Sequence, residues 1–164
     1  MNEDTKELTS LDYAELLKYT AYKYHRTTLN RTQINKILFY AYGTYLADTN
    51  EVLFKDDRPK AWPYGPVFPI VNNKINPTDI VSGFSKEKSD LFQKNLKALK
   101  AIKDAVDKLY NKTAYRLTQW SHNDGSPWYK TVFPDTNTNT PWNTEINRDY
   151  IKTYFSNIEN RYVK

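Results

Sequence analysis

Two clusters in this chain have the residue types that bond-making chemistry needs. His122, Asp124 and Ser126 supply a base, an acid and a hydroxyl, the parts of a nucleophilic triad. They crowd onto one turn, whereas a triad draws its members from separate elements so that base and nucleophile can face each other. The favoured reading gives Ser126 a helix-capping role and His122 a loop-fixing hydrogen bond. Asp56 and Asp57 form the second cluster, a carboxylate pair of the sort used in general acid–base work. Adjacent side chains in the polar turn Lys55-Asp56-Asp57-Arg58-Pro59 read instead as solvated charges. No P-loop, GxGxxG, HExxH or GxSxG pattern occurs. With no cysteine, disulfides, thiolate metal sites and Cys nucleophiles are excluded, and His25 and His122 alone do not make a histidine metal site. The chain reads as a non-enzyme without cofactor or metal.

Formal net charge is +5 over 164 residues, which favours an anionic partner. The joint richness in Lys, Asn and Tyr also follows from codon usage in an AT-rich genome, so charge alone does not argue for nucleic acid. The stretch Met1 to Lys6 lacks a basic-then-apolar leader, and no apolar run approaches a membrane span. The expectation is one soluble cytoplasmic domain over 1–164, with no membrane partner.

These residues need elements to position them. Tyr13, Leu17, Thr20, Ala21 and Tyr24 repeat at helical spacing, which predicts a helix over about 11–24 capped by Thr9 or Ser10. Asn30 and Gln33 form a capping-box pattern ahead of a helix to about Ala47. That helix is apolar or aromatic nearly all round, so it belongs at the centre, and Gly43 within it marks the close approach of another element. Val52-Leu53-Phe54 and Lys60-Ala61-Trp62 read as a short β-hairpin near residues 52–62. Phe92, Leu96, Leu99, Ile102, Val106 and Leu109 form a stripe that predicts one long helix over 86–111, with a lysine-rich face read as solvated. A short helix follows over 113–121. Ser126 and Pro127 then open another at Trp128, Asp135 to Thr140 reads as a surface loop, and a last helix spans about 144–158. The fold class is mainly α: a single compact helical domain of about six helices with that hairpin.

Ala61-Trp62-Pro63-Tyr64-Gly65-Pro66-Val67 fixes the backbone while presenting two large rings, because proline holds φ and glycine accepts a positive φ. It reads as a rigid elbow leading into a helix near Val67, with Pro66 suited to its first turn.

Several segments then match one family in the same order. Leu29 to Leu46 resembles the "LxKLLYYAQGWYL" helix of the Panacea antitoxin domain, also called SocA-like or phage-associated GepA. Val52-Leu53-Phe54 with Ala61 to Val67 looks like its "LF…AWxYGPV" signature. Leu117 to His122 with Ser126-Pro127-Trp128 is similar to its "LSxxTHxxxPW" element, and Ile146, Ile151, Tyr154 and Phe155 fit its closing helix. The resemblance covers about residues 29–155. Asn35, Tyr42 and Thr44 depart from the family pattern, at positions read as helix surface and so bearing on partner choice. The resemblance implies a mostly helical, non-enzymatic antitoxin, often on prophages, that neutralises a cognate toxin by protein–protein contact. Small alarmone synthetase-like enzymes are among the toxins of such antitoxins, and one branch acts as an adaptor delivering the toxin to a cellular protease.

On this reading Trp62, Gly65, Pro66, Pro127 and Trp128 are scaffold, since buried aromatics dominate core energetics. Arg31, Lys36, Tyr40, Tyr42, Tyr64 and His122 are the contact candidates, because tyrosine joins apolar area to a hydroxyl at low entropic cost. Arg31 and Lys36 would enter an anion pocket of the toxin. The alternative of another class is a nucleic-acid-binding regulator, disfavoured as partner here and recognisable by a steep salt dependence.

Overall fold

A single helix, α2 (Arg31–Thr49), is the axis of the molecule, described for residues 6–134 and 142–164 in a computed structural model. Its start is fixed by the capping box: the Asn30 side chain accepts from Gln33 N–H at 2.8 Å, and the Gln33 side chain accepts from Asn30 N–H at 2.9 Å. Every residue from Ile34 to Leu46 is buried. A helix without a polar face must be wrapped on all sides. The wrapping comes from α1 (Ser10–His25), α5 (Leu96–Leu109), α6 (Ala114–Ser121) and α8 (Arg148–Ser156). The close approach expected at Gly43 is made by Phe155, whose ring would lie 2.1 Å from a β-carbon there.

Local signals also hold at the helix starts read from Thr9 and Ser126. Thr9 caps α1 with Asp12 completing the box, Thr113 caps α6, and Ser126 caps α7 (Pro127–Val132) with Pro127 in its first turn. Expectations that depend on distant partners differ. The hairpin pairs β1 (Lys60–Trp62) with β2 (Gly65–Val67), Trp62 opposite Gly65, and not with residues 52–54. On the other edge of β1 sits β3 (Thr144–Glu145), giving an antiparallel sheet of order β2-β1-β3. Leu53 and Phe54 are core residues instead, with the Phe54 ring packed on Tyr13, Tyr42 and Phe68. Pro66 therefore lies in an edge strand, where its missing N–H is tolerated, and the next helix, α3 (Pro69–Lys74), takes Pro69 in its first turn.

The long helix expected over 86–111 is two, α4 (Lys86–Gln93) and α5. Asn95 breaks it: its side chain accepts from Ala98 N–H at 3.1 Å and donates to Tyr45 Oη at 3.0 Å. An asparagine that satisfies both a cap and a distant hydroxyl outcompetes helix continuation. Leu96 consequently faces solvent while Phe92, Ile102, Val106 and Leu109 stay buried. The last helix also starts later, because residues 144–145 join the sheet and Asn147 caps α8; a 3₁₀ turn over Ile158–Arg161 follows. Tyr150 and Ile158 are exposed. The fold is mainly α, with eight α-helices among the described residues in place of about six. The loop expected at Asp135–Thr140 lies outside the described residues.

The Asp56–Asp57 turn is not a solvated pair. Asp57 is 3% exposed and accepts from Val71 N–H at 3.0 Å, giving α3 the cap that Phe68 does not offer. Burial pushes its carboxyl up while the Val71 and Ile70 N–H groups draw it down. Asp56 accepts from Ser10 N–H at 2.8 Å and from Ser10 Oγ at 2.9 Å at the start of α1. Two helix starts are tied by one turn.

Candidate functional site

The elbow, the end of α6 and the start of α7 meet over the middle of α2. Gly125, at φ +79°, turns the chain after α6 so that Ser126 can begin α7. Ser126 Oγ donates to Ser121 O at 2.8 Å and accepts from Tyr129 N–H at 3.1 Å. This sets Trp128 against the hairpin, where its Nε1 donates to Trp62 O at 2.7 Å. The His122 ring stacks on Trp128 with centroids 3.7 Å apart and planes 14° from parallel. Trp62 Nε1 in turn donates to Asn143 Oδ1 at 3.0 Å.

Beneath this layer lies Lys36, 1% exposed, whose Nζ donates to Pro66 O at 3.1 Å. Among the described residues no carboxylate pairs with it, and burial pushes the amine down to about 8. Gly65 lies directly above. Its φ of +114° suits glycine, and a β-carbon would lie 2.5 Å from Ser121 Oγ and 2.7 Å from Lys36 Cε. Burial, then the nearby Lys36, lowers His122, so its imidazole is neutral at pH 7. Its Nε2 is buried with no hydrogen-bond partner among the described residues.

The triad is not assembled. Ser126 Oγ is committed to backbone groups, Asp124 is exposed, and among the described residues His122 is held by stacking and not by the expected hydrogen bond. Among the described residues no group of His, Asp and Glu side chains could hold a metal, and no helix is long and apolar enough to cross a membrane.

The contact candidates separate sharply. Tyr40 is 1% exposed, donates to Arg161 O at 2.7 Å and packs on Trp120 and Phe155. Tyr42 is buried between Phe54 and Phe68. Burial pushes both phenols up to about 12. Tyr40, Tyr42 and Lys36 therefore stand inside, a correction to their expected place at the surface, because α2 is covered on every side. Asn35 and Thr44 are buried as well. Asn35 Oδ1 accepts from Phe68 N–H at 3.0 Å, so this departure from the family pattern braces the corner after β2 and touches the core. Arg31 is exposed, and its guanidinium donates to Asn72 O. It does not stand beside a second free cation at Lys36. Gly65, Pro66, Pro127 and Trp128 are buried, and Trp62 is half-buried.

Tyr64 is different. It sits on the turn between β1 and β2 and is 73% exposed. Phe133 and Trp142, which sequence reasoning passes over, are also exposed and lie 6.3 and 6.4 Å from the Trp128 ring. Their signal in the sequence is faint: two large rings bracketing a polar run. Phe133 and Trp142 thus flank the Trp128 ring as an exposed aromatic rim, and Tyr64 projects from the turn after Trp62.

A family model described as antitoxin SocA-like, Panacea domain, matches residues 34–129, which include Lys36, the elbow and the His122–Trp128 stack. No curated protein and no solved structure matches the chain.

Proposed function

On the premise that the chain belongs to the SocA-like Panacea family of antitoxins, we propose that it silences a cognate toxin by direct protein–protein contact, with no bond made or broken by its own side chains. The observation that carries this reading is the contrast across a few ångströms at the hairpin. Trp62, His122 and Trp128 are fixed to one another, while Tyr64 projects from the turn they brace. An anchor held rigid before docking loses little entropy on binding and offers both apolar area and a hydroxyl. The spent serine hydroxyl and the stacked histidine support the absence of catalysis. The net positive charge fits a toxin that offers an acidic surface.

Co-expression with the product of the adjoining toxin gene tests this. The native chain should restore growth, and Tyr64→Ala combined with Trp142→Ala should weaken the purified complex by roughly 100-fold, as for two aromatic anchors. Toxin abundance read in the same cells separates occlusion, where it stays constant, from delivery to a protease, where it falls. Undiminished neutralisation by the double variant would remove the rim from the contact. Turnover of a toxin product by the purified chain alone would end the non-enzymatic reading.

A further inference from the structure

Several cations that no carboxylate answers among the described residues lie along the segment that follows α8. Three depressions there share residues and run into one another. The first, about 250 Å³, lies between α2 and α5 and carries Lys97 and Lys108 beside Tyr40. Lys108 and Arg161 continue into a second of about 540 Å³, which adds Lys112, Ile158 and Tyr162. Tyr162 leads into a third of about 690 Å³ against α6, lined by Arg116, Asn123 and Glu159 and by His122 with its unpartnered Nε2.

Some of the cations in this groove are already answered. Lys100 pairs with Asp104, and Arg161 holds Asp48 through two nitrogens at 2.8 and 3.3 Å. Lys97, Lys108, Lys112 and Arg116 have no carboxylate within ion-pair distance among the described residues. Apolar surface stands in the middle: Ile158 is 75% and Tyr162 73% exposed. A row of unpaired cations round exposed Ile and Tyr is electrostatically and sterically complementary to an acidic protein surface with an apolar centre.

We propose that this groove receives an acidic face of the toxin, as a second contact beside the aromatic rim; the inference rests on the direct-contact reading above. A folded protein suits it better than nucleic acid. Glu159, which no cation answers among the described residues, lines the third depression and would repel a phosphate backbone, while a protein surface can answer it with a lysine or arginine of its own. Tyr162 is one exposed ring beside the aliphatic Ile158, where a single-strand groove sets several rings for successive bases. The lysines on α5 are then steering charges, raising the rate of encounter more than the lifetime of the complex.

The test uses the full chain and the purified product of the adjoining toxin gene. Lys108→Glu, Lys112→Glu and Arg116→Glu combined should lower affinity by roughly 100-fold, mostly through a slower association rate, and association of the native chain should slow as salt rises. The same three positions changed to Gln should give a smaller loss in the same direction, and this neutral set keeps the test valid if reversal disturbs folding. Unchanged affinity in both sets, with the native chain binding, overturns the groove and leaves the antitoxin reading standing. Tight, groove-dependent binding of a random DNA duplex by the native chain overturns it in favour of nucleic acid. No association between native chain and toxin removes both proposals together.

Discussion

Just ahead of the hairpin, Asp57 is 3% exposed and meets the N–H groups that open α3; just behind it, Lys36 is 1% exposed and meets one carbonyl. Both are buried charges flanking the same six strand residues, yet their surroundings differ in kind. A helix start offers several N–H donors and the positive end of its dipole, so an anion there can stay ionised. A cation needs carboxylate or several carbonyls, and among the described residues Lys36 has Pro66 O alone. Its remedy is to give up its proton more easily, which is why the amine lies near 8. Burial shifts both groups toward the neutral form, the Asp57 carboxyl up and the Lys36 amine down. The leading corner keeps helix N–H donors for its charge, which the trailing one does not match among the described residues.

The largest effect should come from breaking the better-satisfied side. Asp57→Ala strips the acceptor from the α3 start and leaves buried N–H groups unpaired, at a cost of about 4 kcal/mol. Urea unfolding measures it. A loss below about 1 kcal/mol would mean that water reaches those groups and that the two corners are alike.

The next effect sharpens the contrast through pH. The folded Lys36 amine, near 8, lies below its usual 10.5, so between those values the unfolded chain keeps a proton that the folded chain has released. Stability must therefore rise with pH across that window, by about 3 kcal/mol in full. Tyr13, Tyr40 and Tyr42, pushed up to about 12, act in the opposite sense: above pH 10 the unfolded phenols ionise first and stability falls. The profile should peak near pH 10. Lys36→Met should abolish the rise and leave the fall, read from urea midpoints over the range. A persistent rise in the Met variant would assign the slope to another group.

The smallest effect tests the exposed neighbour. Asp56→Ala removes the acceptor for Ser10 at the start of α1, where solvent can substitute, and should cost about 1 kcal/mol, as for a lost helix cap. A cost equal to that of Asp57→Ala would show that burial is not what separates the two carboxylates.

What could be read from the sequence follows the range of the interaction. Thr9, Asn30 with Gln33, and Ser126 were legible because a cap is closed by residues three positions away. Gly43 was legible because its cost in a helix demands a reason, and Phe155 is that reason. The break at Asn95 was hidden, since the apolar stripe runs across it without Gly or Pro and its second partner, Tyr45, is on another helix. The hairpin slipped because β1 is held by β2 and by residues 144–145, a pairing that short apolar runs do not announce. At the candidate site, the resemblance brought the elbow and the Trp128 segment into one frame, but the residues of α2 offered as contacts lie inside. An all-apolar helix has no outward side, so the pattern that put α2 at the centre already pointed Lys36, Tyr40 and Tyr42 inward, against their reading as contacts.

The notch at Gly43 sets an order of events during synthesis. The ring that fills it belongs to Phe155, so the central helix stays bare along that stripe until more than a hundred further residues have left the ribosome. Contacts so far apart along the chain form slowly, and their late arrival leaves apolar surface open meanwhile. A nascent copy cut short before that ring emerges would be an unfinished body, open to proteolysis, and the cell's supply of finished protein would follow the completion of translation rather than its start.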